Sequence, residues 1–144
     1  MKRTLLWIGL AAAPAIVGPT STSAAGRDAV IGDIDDLSGV YSDVSGPGAA
    51  EAMKMAVADF GGTVLGRKIV TLVADHQNKP DIGASKFREW TDQSGLNMLL
   101  GEANTGVSIA IAKITATKKV PFFPISVSMA TFLDGDSVVG GRVS

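Results

Sequence analysis

Four short runs of apolar and β-branched residues recur between Ala29 and Ile125, with a helix-patterned segment in each gap between them. Residues 29–34 are apolar enough for a largely buried strand. The spacing of Ala49, Met53, Ala56, Val57 and Phe60 predicts a helix over 47–60, stopped by Gly61 and Gly62. Residues 68–74 form a second β-rich run. Residues 80–94, with Ile82, Phe87 and Trp90, read as a helix ending at Gly95. Residues 97–100 are a third strand. Residues 107–118 are a helix carrying Val107, Ala110, Ile111 and Ile114 on one face, with Lys118 and Lys119 complementing its dipole. Residues 120–125 are a fourth strand, in which Pro121 and Pro124 relax the pairing. The alternation β-α-β-α-β-α-β demands parallel strands joined by right-handed crossovers. An α/β fold follows: a doubly wound parallel sheet in the order 2-1-3-4.

In that order the strands leading into 36–48, 101–106 and 126–131 end at one edge. Open α/β sheets hold ligands at such an edge. The first of these loops is longer than the usual two to six residues and rich in Ser, Gly and Asp. Pro47 after it suits a first helical turn, whose unpaired N–H groups attract anions. This loop is shaped to hold something.

Residues 1–25 stand apart from the fold. Lys2 and Arg3, the apolar stretch from Leu5 to Val17 and Ser23-Ala24-Ala25 read as a cleaved export signal. No cysteine follows the apolar stretch, so lipid attachment there is excluded. Residues 26–144 are therefore expected to be one exported, soluble domain. Those 119 residues carry all 14 acidic side chains and 11 of the 13 basic ones, a formal charge of −3. That balance argues against nucleic acid, which a basic patch would attract. With no cysteine, neither disulfides nor thiolate metal sites contribute.

Several side chains invite two readings. In the 101–106 turn, Asn104, the Thr105 hydroxyl and Gly106 would meet a carboxylate with hydroxyl, amide and backbone donors together. The plainer alternative is that Asn104 or Thr105 simply caps the helix. Ser126, Ser128 and Thr131 offer small hydroxyls to a close-lying ligand, or are an ordinary polar loop. Tyr41, the only tyrosine, either covers a ligand or lies over its own loop. Asp33, Asp35 and Asp36 form an acidic strand end of the kind that holds Mg²⁺ in receiver domains. A solvated loop entrance is the expected reading. His76, the sole histidine, is expected at the surface, within reach of Asp75. There is no Gly-x-Ser-x-Gly elbow, Walker loop or paired-glycine dinucleotide fingerprint. Neither an enzyme nor a cofactor is expected.

Taken together, the exported start, Asp36-Leu37-Ser38-Gly39-Val40-Tyr41, Gly46-Pro47-Gly48, Ala74-Asp75-His76-Gln77-Asn78-Lys79-Pro80-Asp81 and Asn104-Thr105-Gly106-Val107 form a pattern. From about Ala29 to Leu133 the chain resembles the N-terminal lobe of periplasmic substrate-binding proteins of branched-chain amino-acid (Leu/Ile/Val-type) ABC transporters, a type I periplasmic-binding-protein fold. The resemblance implies an amino acid or related small carboxylate as ligand and a membrane permease as partner. It places Asn104, Thr105 and Gly106 at the ligand carboxylate and Tyr41 against the ligand from the first loop. Ser128, Ala130 and Thr131 belong to the second contact loop, with Thr131 at the ammonium group. Two departures stand out: Thr105-Gly106 replaces a Ser-Ser pair, and Phe132-Leu133-Asp134-Gly135-Asp136 matches the usual continuation only loosely. Family members are more than twice as long, so the chain is expected to be one incomplete lobe, a fragment. A small receiver-like or flavodoxin-like enzyme with a metal at Asp33, Asp35 and Asp36, or a ligand-sensor module of the same fold, are the alternatives.

Overall fold

The computed structural model of the chain describes residues 27–101 and 104–125. The expected leader, 1–25, and the loop carrying Ser128, Ala130 and Thr131 lie outside the described residues. The strands are β1 (Ala29–Asp35), β2 (Thr63–Val64), β3 (Arg67–Asp75), β4 (Leu96–Gly101) and β5 (Phe122–Pro124). The helices are α1 (Gly46–Asp59), α2 (Pro80–Glu89) and α3 (Thr105–Lys118).

Among the described residues the sheet runs β2-β3-β1-β4-β5. β1 pairs in parallel with β3 and β4, and β4 with β5. The four expected strands thus take the order 2-1-3-4. β2 is an addition: Thr63 and Val64 pair antiparallel with Lys68 and Arg67 around Leu65-Gly66, both at positive φ. Two paired residues are too few to leave a periodic signal, so the sequence reading passes over this hairpin.

Alternation along the strands separates the two faces of the sheet. Val30, Ile34, Leu96 and Leu99 turn toward α2 and α3, where they pack with Phe87, Trp90, Val107 and Ile111. Ile34, Phe87, Leu99, Val107 and Ile111 are fully buried, each such side chain stabilising the fold by about 1.5–3 kcal/mol. On the other face α1 is the only described helix. Ile31, Ile69, Met98 and Leu100 of the sheet line a groove of about 360 Å³ with Met53, Val57 and Phe60.

The helix expected over 80–94 is α-helical only to Glu89. Trp90–Ser94 widen into a π turn that Gly95 closes, its N–H bonded to the Trp90 carbonyl. Five residues do not separate the two helical periods by apolar spacing, so one helix was the natural expectation. The fourth strand is three residues, not six, and the third helix begins two residues earlier than its apolar pattern.

Candidate functional site

The strand order reverses at β1: the chain moves outward to β3, then returns to β4 on the other side. Open α/β sheets hold ligands outside the carboxyl ends of the strands at such a reversal, here the ends of β1 and β4. The loop after β1 and the start of α3 both lie there. Gly101 closes β4 at φ 108°, and a Cβ on it would sit 2.5 Å from Asp33 Oδ1 and 3.2 Å from Asp35 Oδ2. Only a glycine lets both carboxylates approach the end of β4.

Carboxylates organise the 36–45 loop. Asp36 accepts from the Gly39 N–H at 2.9 Å and the Tyr41 N–H at 3.0 Å. Asp35 Oδ1 accepts from Ser45 Oγ at 2.8 Å, holding the residue that precedes α1. Asp75, at the end of β3, accepts from the Leu37 N–H at 3.1 Å and Ser38 Oγ at 2.5 Å. It also takes the Gln77 N–H at 2.8 Å. Burial pushes the Asp75 carboxyl up, but the bonds from Ser38, Gln77 and Leu37 outweigh it and hold the group below its ordinary range.

The acidic strand end is therefore not a solvated entrance. Asp33, Asp35 and Asp36 are all buried, which corrects that expectation. The loop folds back over Asp35 and Asp36 and brings donors to both. Asp36 is committed to two backbone N–H groups and Asp35 to Ser45, and no described group of three acids or histidines is arranged to hold a metal ion.

His76 also departs from the expected surface position: it is 1% exposed. It begins a tight turn in which Gln77 and Asn78 have positive φ and the Lys79 N–H returns to the His76 carbonyl at 2.9 Å. Its Nδ1 accepts from the Asn78 N–H at 2.9 Å, and its own N–H reaches the Asp35 carbonyl at 3.0 Å. Gly83 of α2 packs beside it, and a Cβ there would fall 2.5 Å from Val107 Cγ1 while only touching His76.

Asn104 is the N-cap of α3. Its Oδ1 accepts from the Gly106 N–H at 2.7 Å and the Val107 N–H at 3.2 Å. Its Nδ2 donates to Asn78 Oδ1. Capping, the plainer alternative, is what this side chain does, and the Gly106 N–H is committed to it. Thr105 is half-buried in the first turn and Gly106 exposed. Tyr41 is 37% exposed at the same edge. The turn after β3 joins the loop after β1 to the start of α3: Asp75 holds the first and Asn78 holds the cap of the second. The sequence reading missed this bridging part. Its signal was Asp75 two residues before Gln77, and Asp36 three before Gly39, spacings at which carboxylates bond to nearby backbone.

The family described as periplasmic binding protein matches residues 29–140. The chain belongs to that family. It is similar to a periplasmic binding protein from Burkholderia mallei, with 47% identity and a TM-score of 0.71 over 73% of this chain and 28% of that one. It is also similar to a branched-chain amino acid ABC transporter periplasmic ligand-binding protein from Burkholderia xenovorans LB400, at 32% identity and a TM-score of 0.68, over 71% of this chain and 27% of that one. A solute binding protein of an ABC transporter from Rhodopseudomonas palustris BisB5, solved with 3,4-dihydroxy benzoic acid, shares the fold at 22% identity and a TM-score of 0.66, over 75% and 29% of the two chains. No curated protein matches. The chain thus spans between a quarter and a third of the length of these solved relatives. As a periplasmic binding protein it is an α/β molecule with the architecture of a single type I lobe.

Proposed function

We propose that the chain is the exported solute-binding component of an ABC uptake system, taking an amino acid or a related small carboxylate in the periplasm and presenting it to a membrane permease. The observation that carries this reading is the reversal of strand order at β1, from whose end the Tyr41 loop leaves while α3 follows the end of the adjacent β4. The relatives that describe themselves as transporter binding proteins support it. In this reading Thr105 and the α3 N-terminus meet the ligand carboxylate, assisted by the dipole of the helix. Asn104 shapes that turn as its cap, and Tyr41 covers the ligand. Ser128, Ala130 and Thr131 complete the contact, with Thr131 at the ammonium group.

The mechanism is binding without chemistry. Fixed dipoles and hydroxyls meet opposite charges on a small zwitterion, and closure of a second lobe excludes water, driven by higher affinity in the closed state. Contact from one lobe alone is expected to be feeble: a millimolar or weaker affinity, about 4 kcal/mol or less. Titration of the 144-residue chain with L-leucine and with 3,4-dihydroxybenzoic acid, followed by amide chemical shifts, checks this. Saturable shifts confined to 37–45 and 104–107 are expected from one of the two. Micromolar affinity in calorimetry would contradict the one-lobe account, and shifts elsewhere would contradict the site.

A further inference from the structure

Both oxygens of Asp36 serve the loop carrying Tyr41. The residue is 0% exposed, and its carboxylate accepts from Gly39 at 2.9 Å and Tyr41 at 3.0 Å. Gly39 approaches so closely that a Cβ there would fall 2.4 Å from Oδ1 and 2.5 Å from Oδ2. The carbonyl of Tyr41 is held as well, accepting from Val44 N–H at 2.9 Å and Ser45 N–H at 3.2 Å. Ser45 is in turn tied to Asp35. The backbone of Tyr41 is thus clamped on both sides while the residue stays more than a third exposed.

Irregular loops of this length ordinarily sample many conformers, each costing entropy to select on binding. A buried carboxylate bonded to two amide N–H groups removes that freedom beforehand, and such charge-assisted bonds are about twice as strong as neutral ones. We propose that Asp36 is a positioning residue for ligand binding: by clamping the Gly39 and Tyr41 amides it holds the Tyr41 ring in place before any ligand arrives. The proposal rests on the binding reading above and adds to it the group that sets the first loop's contact.

Tyr41 is the only tyrosine in the chain, so meta-fluorotyrosine labelling of the full protein produces one fluorine NMR line that reports its ring alone. In the unmodified sequence that line should lie away from the free amino acid. Asp36→Asn keeps one acceptor oxygen and should move it part of the way back. Asp36→Ala should move it most of the way and weaken binding of whichever probe, L-leucine or 3,4-dihydroxybenzoic acid, shifts the line by about tenfold. Gly39→Ala, whose Cβ presses on the carboxylate, should reproduce the Asn variant, and these two carry the test where Asp36→Ala does not fold. Phe87→Leu, a core change on α2, lowers the urea midpoint and should leave the line in place, separating positioning from general destabilisation. An unmoved line with unchanged affinity in the Asp36 and Gly39 variants overturns the proposal while leaving the binding reading intact. A line that the variants move, but that neither probe moves in the unmodified protein, upholds the clamp and overturns the binding reading.

Discussion

Asp75 ties together two segments that are 38 residues apart, and its ionisation makes that tie dependent on pH. Its carboxyl is held below the ordinary 3.8 because the charged form accepts from Ser38, Gln77 and Leu37. The unfolded chain therefore binds a proton at this group more readily than the folded one. The stabilisation is fully present above about pH 3.8 and is lost as pH falls through the lower folded value. Urea melts of the protein and of Asp75→Asn should show a stability gap at pH 6 that narrows below pH 4. A gap that stays constant across that range would sink the assignment. The cap at Asn104 was legible in advance because capping is local chemistry: an acceptor side chain and a donor two residues on are neighbours in sequence. The burial of His76 was not, because it depends on the turn after β3 meeting the end of β1, where its backbone N–H reaches the Asp35 carbonyl.

Each long element was foreseeable from its period, and the short or irregular ones were not. The β2–β3 hairpin turns on Leu65 at φ 50°, a conformation that costs a branched side chain energy, and Leu65 is 94% exposed. Nothing in its packing compensates. Leu65→Asn creates an Asn-Gly pair suited to two consecutive positive-φ residues. It should raise stability by about 0.5–1 kcal/mol, seen as a higher thermal midpoint. An unchanged or lower midpoint would mean that Leu65 makes a contribution its exposure conceals. The π turn at Trp90–Ser94 carries the same lesson: helix register over five residues is settled by what the aromatic ring packs on, here the core with Phe87 and Leu96.

At the scale of the molecule the two faces of the sheet are unequal. α2 and α3 cover one face, and α1 covers the other with its Ala56 and Phe60 exposed. The groove between α1 and β4 leaves apolar surface in contact with water, the kind that attracts hydrophobic dyes and promotes association. The native protein should bind anilinonaphthalene sulfonate at neutral pH. Phe60→Ser, at a 69% exposed wall position, should lower that fluorescence while changing stability by less than about 0.5 kcal/mol. Equal dye binding by both proteins would place the apolar surface elsewhere.

Strand period, helix period and the handedness of crossovers were enough to set the strand order, and hence the edge at which β1 and β4 end together. Those are consequences of backbone geometry, which neighbouring residues specify among themselves. The burial of Asp33, Asp35, Asp36 and His76 belongs to the tertiary structure alone. A polar group leaves water only where partners meet it: Ser45 comes to Asp35, the Gly39 and Tyr41 amides to Asp36, and the Asn78 amide to His76. Three acids readable as a wet entrance, and a histidine readable as surface, thus lie inside the fold.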